Sequence, residues 1–175
     1  MKTLVTGGGG FLGRRIVEKL LERGDSVRVL GRNKYPHIEK LGVETFRGDI
    51  QDFPTVLKAS KDMDAVFHVA SKTGIWGKWK DFFETNVTGT ENVIKACQKN
   101  GVSRLVYTSS PSVIYSGKDL DNVDETMPYP AKYLCPYSAT KAKAEKRVLK
   151  ENGNNGLYTV SLRPHLIWGP RDTNI

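Results

Sequence analysis

The stretch Lys2–Thr3–Leu4–Val5–Thr6–Gly7–Gly8–Gly9–Gly10–Phe11–Leu12–Gly13 decides how the rest of the chain folds. Lys2–Thr6 is a short run rich in β-branched and apolar residues and reads as a strand. Phe11–Glu22 places Phe11, Leu12, Ile16, Leu20 and Leu21 on or near one face of a helix. Between them the chain must turn sharply, and glycine alone takes positive φ without steric penalty. Missing side chains also let another group approach the backbone, while amides at the helix start have no partner within the helix. A phosphate is the natural occupant of such a seat. The plain alternative is a flexible turn, but a strand before and a helix after are the context that favours the phosphate seat. A Walker-type loop is excluded, because Arg14–Arg15 stand where Lys–Ser/Thr is required.

Outward from this loop, strands and helices alternate. Ser26–Leu30, Val43–Phe46, Ala65–Val69, Arg104–Thr108 and Tyr158–Leu162 read as further strands. Helices are expected over Pro36–Leu41, Asp52–Ala59, Trp79–Asn100 and Pro136–Glu151, with Gly101 and Asn152–Gly153 as stops. Ser109–Tyr133 is a long connection, and the tail from Arg163 is loop. Such alternation predicts an α/β fold: a doubly wound parallel sheet, covered on both faces, with ligands at the carboxyl ends of its strands.

At 175 residues the chain suits one domain, 1–175, and 38% hydrophobic content allows a real core. No apolar run approaches a membrane span, and the N-terminus has no signal-like region. Cys97 and Cys135 have no metal-ligand spacing, so no metal is expected, and a reducing cytoplasm is the simplest reading. The net charge of +8 raises nucleic-acid binding. The basic residues are scattered and no aromatic ribonucleoprotein motif accompanies them, so an anionic small molecule is the preferred reading.

A loop of this kind suits a dinucleotide pyrophosphate. An NAD site usually has an acid about 20 residues beyond the glycines. Here Val29–Leu30–Gly31–Arg32 puts glycine at that place and a guanidinium next to it. Arg32 can pair with a 2′-phosphate, which favours NADP, with NAD as the alternative.

Tyr137–Ser138–Ala139–Thr140–Lys141 sets a phenol and an ammonium four residues apart on one helix face. A phenol titrates near pH 10, and a neighbouring ammonium favours its ionised form. Such a pair is common by chance, so context decides. It opens the helix after the fifth strand, which runs into Thr108–Ser109–Ser110–Pro111–Ser112. Ser110 is placed to orient a carbonyl oxygen that Tyr137 protonates. The competing reading is that Ser109 and Ser110 only cap or turn the chain.

Together these residues resemble the extended short-chain dehydrogenase/reductase family, the NAD-dependent epimerase/dehydratase superfamily, over the whole chain. Thr6–Gly13 resembles its TGxxGxxG loop, and Asn86–Val87–Thr88–Gly89–Thr90 its NVxGT helix motif. Arg163–Pro164–His165–Leu166–Ile167–Trp168–Gly169–Pro170 resembles its RPxxIxGP segment. Ser71–Lys72–Thr73–Gly74–Ile75–Trp76–Gly77 is most similar to the 3β-hydroxysteroid dehydrogenase-like branch, near bacterial reductases of 2-alkyl-3-keto acids. The resemblance implies a Rossmann fold with Ser110, Tyr137 and Lys141 as catalytic residues. It implies cofactor contacts from Gly7, Gly10, Phe11, Leu12, Gly13, Arg32, Asp49, Ile50, Ala70, Ser71, Lys141 and Pro164. Asn86 would shape its helix rather than perform chemistry.

The implied function is hydride transfer between NADP(H) and a ketone or secondary alcohol on an apolar, steroid-like or long-chain keto-acid substrate. A nucleotide-sugar epimerase on the same scaffold is the enzymatic alternative, and a non-catalytic dinucleotide-binding module is the other. Pro111 and Ser112 after Ser110 argue against a dehydratase, which carries an acidic pair there. Family members run longer, so the C-terminal substrate domain is expected to be missing and apolar surface to be left bare. The resemblance also implies a possible homodimer, two copies pairing through helices 79–100 and 136–151. His68 and His165 are expected to be hydrogen-bonded structural histidines. Trp76 and Trp79 are expected either to line a pocket or to pack over the sheet edge.

Overall fold

The computed structural model describes residues 1–172; Thr173–Asn174–Ile175, the end of the expected C-terminal loop, lie outside the described residues. In chain order the elements are β1 (Lys2–Thr6), α1 (Phe11–Glu22), β2 (Ser26–Gly31), α2 (Pro36–Glu39), β3 (Glu44–Arg47) and α3 (Phe53–Ala59). They continue with β4 (Ala65–His68), α4 (Trp79–Phe83), α5 (Gly89–Lys99), β5 (Arg104–Thr108), α6 (Pro136–Lys150) and β6 (Tyr158–Leu162). Among the described residues the strands form one sheet in the order β3-β2-β1-β4-β5-β6, every pair parallel. The chain winds outward from β1 to β3, returns past β1 to β4, and winds outward again to β6. The doubly wound expectation is met. The connections from β1 and β4 leave in opposite directions along the sheet, and the crevice at their carboxyl ends is the switch point.

Alternate strand residues enter two separate cores, as a sheet covered on both faces requires. Leu4, Leu30, Val66 and Leu105 pack with Val56, Val93, Ala144 and Val148 from α3, α5 and α6. Val5, Val27 and Val29 pack with Val17 and Leu20 of α1. Each such side chain contributes about 1.5–3 kcal/mol by leaving water. The second face is bare at the β6 edge, where Tyr158, Val160 and Leu162 are exposed.

Two local departures have clear causes. The expected single helix 79–100 is interrupted by a π-helical turn at Glu84–Thr88, between α4 and α5. Its Asn86 is buried and is spent on tertiary hydrogen bonds, described below. The strand expected at 43–46 lies one residue later, because Val43 enters the α1-side core before the ladder begins. The helix stops behave as read: Gly101 and Gly153 take φ of 67° and 83°. No helix among the described residues is long and apolar enough to cross a membrane.

Candidate active site

The crevice at the carboxyl edge of the sheet is a cleft of about 660 Å³. The glycine loop forms one wall. Arg14 N–H donates the first helical bond to Gly10 O, at 2.8 Å, so the amides of Phe11, Leu12 and Gly13 precede the ladder. No side chain caps this helix start. Below the loop there is no space. A Cβ on Gly13 would stand 2.2 Å from Gly7 O, and one on Gly7 would stand 2.9 Å from the Ala70 backbone. Gly7 also has φ 72°. Gly10 is exposed and lines the cleft. The loop is thus packed hard against β4's exit and open above, the shape of a cradle for a pyrophosphate.

From the loop the cleft runs two ways. Toward β2 its walls are Gly31, Arg32, Tyr35, Asp49 and Ile50. Asp49 Oδ1 accepts the Gln51 amide at 3.0 Å, which fixes the turn after β3. Toward β5 the walls are Ala70, Ser71, Ser110, Tyr137, Pro164 and His165. All the residues expected at the site meet here, with one exception.

That exception is Lys141, which does not line the cleft. It is buried under the β5 exit, donates to Thr108 O at 2.5 Å and lies 4.2 Å from the centroid of the Tyr107 ring. Burial pushes its ammonium down to about 7, against a smaller upward pull from Glu145. The expected lowering of the phenol by this ammonium is absent from this arrangement. Burial instead raises Tyr137, and the Ser110 hydroxyl beside it pulls the other way. The Lys141 ammonium is instead spent on Thr108 O at the strand end. Ser110 combines both of its readings. It faces the cleft, and its Oγ also accepts Ser112 N–H at 3.2 Å as the cap of the short 3₁₀ turn Pro111–Val113.

Under the cleft lies a polar relay. Thr90 Oγ1 donates to Asn86 O at 2.6 Å, so it accepts from His68 Nε2 at 2.9 Å. His68 Nδ1 then accepts from Thr6 Oγ1 at 2.7 Å. This network sets a neutral ring with its proton on Nε2. Burial, helped by the Lys141 charge, holds His68 down to about 3. His68 is structural, as expected. His165 is not: it is exposed on the cleft wall. The unfolded histidine gains its proton near 6.5 and the folded one only near 3. Between these values the unfolded chain binds more protons, so stability falls as pH is lowered through that window. The urea midpoint should drop between about pH 7 and pH 5; a level midpoint would refute the neutral-ring assignment.

Asn86 Oδ1 accepts Lys72 N–H at 2.7 Å, and its Nδ2 donates to Lys72 O and Thr140 Oγ1, each at 3.0 Å. It ties the loop after β4 to the helix that carries Tyr137, and π-helical turns often mark such places. Two further residues escaped the sequence reading. Tyr35 follows a strand with no motif around it. Glu145, two turns beyond Tyr137, is fully buried. It accepts from Tyr129 Oη at 2.6 Å, Ser161 Oγ at 2.9 Å and Arg163 Nη2 at 2.7 Å. The spacing 137, 141, 145 on one helix face was the available signal for it. Trp76 met neither expectation, being 89% exposed, while Trp79 lies against Phe83 at 6.1 Å.

The sequence profile of the 3-beta hydroxysteroid dehydrogenase/isomerase family matches residues 4–175. The chain belongs to this family. A family relative, the 2-alkyl-3-oxoalkanoate reductase of Stenotrophomonas maltophilia (strain K279a), is 48% identical over all of this chain and 53% of its own length. The 3-beta-hydroxysteroid dehydrogenase of Mycolicibacterium neoaurum is 41% identical over 98% of this chain and 49% of its own. Among solved structures, the UDP-glucose 4-epimerase of Thermus thermophilus in complex with NAD is similar at 36% identity and TM-score 0.83. That match covers 93% of this chain and 54% of the other. The chain therefore spans about half the length of the relatives it matches.

Proposed function

We propose that this chain is the dinucleotide-binding half of an oxidoreductase that moves a hydride between NADP(H) and a ketone or secondary alcohol. The proposed substrate is apolar, steroid-like or a long-chain keto acid. The observation that carries the reading is the shared cleft: Ser110 and Tyr137 face the same crevice as the amides of the glycine loop. The names of the reductase and dehydrogenase relatives agree with it. The epimerase among the structural neighbours supports the second reading at the level of scaffold.

The residues fit a dinucleotide. Phe11, Leu12 and Gly13 would offer amides to the pyrophosphate, Gly7 and Gly10 leave it room, and Ala70 and Ser71 flank it. Asp49 and Ile50 would border the adenine, and Pro164 the nicotinamide end. When bound, the dinucleotide supplies or accepts the hydride. Ser110 would then orient the substrate oxygen, and Tyr137, kept neutral by its burial, would donate its proton there and take it back in oxidation. Lys141 would reach the nicotinamide ribose, and act on the phenol, only by leaving Thr108 O.

For the cofactor's second phosphate we propose Arg32, exposed at the end of β2 beside Gly31. Titration with each dinucleotide tests this. Wild type should prefer NADP⁺, and Arg32→Ala should lose about 1.5–3 kcal/mol of that affinity, the worth of a charged hydrogen bond. Equal binding of NAD⁺ and NADP⁺ by wild type would refute it. We also propose that two copies pair through helices 79–100 and 136–151, which Arg147 and Glu91 already hold side by side at 2.8 Å. A monomeric mass in solution would refute that.

A further inference from the structure

Tyr35 occupies an unusual place at the β2 end of the cleft. One edge of its ring lies over the glycine loop, so that a Cβ on Gly9 would be 2.2 Å from Tyr35 Cδ1. The other edge lies over the strand end, so that a Cβ on Gly31 would be 2.6 Å from Cε2 and 2.9 Å from Oη. Neither glycine has positive φ. They are glycine for space, and the ring fills that space.

The ring is also held. Tyr35 O accepts the Ile38 and Glu39 amides at 2.8 and 3.0 Å, which fixes its backbone to the start of α2. Its side chain packs on the core formed with α1, and His37 meets the ring edge-on at 6.0 Å. Held by its backbone and by its packing on the core, the ring would have to be displaced by any side chain at residue 31.

We infer that Tyr35 is a specificity residue for the dinucleotide: its ring denies residue 31 the volume of a side chain. An acid at the end of β2 is what grips an unphosphorylated adenosine ribose. With Tyr35 in place a side chain at residue 31 meets the ring, and the ribose is left to Arg32. The inference rests on the NADP reading above, and it adds a steric cause to an electrostatic one.

The test uses this chain and equilibrium titration with NADP⁺ and NAD⁺, so no turnover is needed. The proteins are wild type, Gly31→Asp, Tyr35→Ala, Tyr35→Phe and Gly31→Asp/Tyr35→Ala, each first checked for native circular dichroism. Gly31→Asp alone should lose NADP⁺ binding without gaining NAD⁺ binding. The double variant should bind NAD⁺ about tenfold more tightly than Gly31→Asp, the worth of one additional good hydrogen bond. Tyr35→Phe should behave as wild type toward NAD⁺, because the ring volume remains. If Gly31→Asp unfolds while the double variant folds, the same collision is confirmed by stability. If Gly31→Asp folds and takes NAD⁺ as well as the double variant does, Tyr35 has no such role. A wild type that binds neither dinucleotide overturns the cofactor reading itself, and this inference with it.

Discussion

Under the proposed function, Tyr137→Phe in the active, full-length enzyme is expected to lower ketone reduction by about 10²–10⁴-fold, the range for loss of a positioned general acid, while leaving NADP(H) affinity unchanged. The substitution deletes one oxygen and keeps the ring that lines the cleft. The assay follows NADPH absorbance with a long-chain 2-alkyl-3-keto acid and a 3-keto steroid as alternative substrates. Burial raises the phenol above its usual range, so it carries its proton at neutral pH. Oxidation of the alcohol needs the phenolate, so its rate should climb as pH rises, while reduction should fade over the same range. Turnover at the wild-type rate in the phenylalanine variant would remove Tyr137 from the chemistry. Turnover of a UDP-sugar in preference to either ketone would shift the whole reading to the epimerase alternative.

The second large effect is on stability. Glu145→Ala should destabilise the fold by about 3–5 kcal/mol, because it leaves the partly buried Arg163 guanidinium and the Tyr129 and Ser161 hydroxyls without their buried acceptor. That is a large share of the roughly 5–15 kcal/mol that holds a domain together. For a chain of this size it corresponds to a melting temperature lower by about 6–20 °C. Thermal unfolding of wild type and Glu145→Ala measures it. Glu145→Gln, which keeps hydrogen-bond capacity, should lose less. Glu145 joins three segments around the cleft: Tyr129 from the long connection, α6 with Tyr137, and Arg163 immediately before Pro164. A small change in melting temperature would mean that these segments are held elsewhere.

Much of this was legible in the residues. The glycine run could be assigned a role because conformational freedom and a missing side chain are properties of the residue itself. The strands could be found because apolar runs of four to six residues between turn formers have few other uses. The sheet order is harder to read from sequence, yet right-handed crossovers between alternating strands and helices leave few topologies open. Tyr137 and Ser110 were readable because both stand at a strand-to-helix transition on the carboxyl edge.

What escaped did so for one kind of reason. The direction of Lys141 depends on Thr108 O and the Tyr107 ring, which are 33 and 34 positions away in the chain. The π-helical turn depends on Asn86 finding Lys72 and Thr140. The burial of Glu145 depends on β6 delivering Ser161 and Arg163 to it. In each case the residue type is ordinary and the partner is remote.

The chain order of apolar and glycine residues determined that a parallel sheet would form and that a phosphate-sized seat would open at its first turn, because backbone freedom and hydrophobic period are local. Which polar groups face that cleft, which are buried beneath it, and whether a side chain fits at residue 31 were decided only by the packing of distant segments. A hydrogen bond or a filled volume needs both partners in place, and sequence spacing holds no record of that distance.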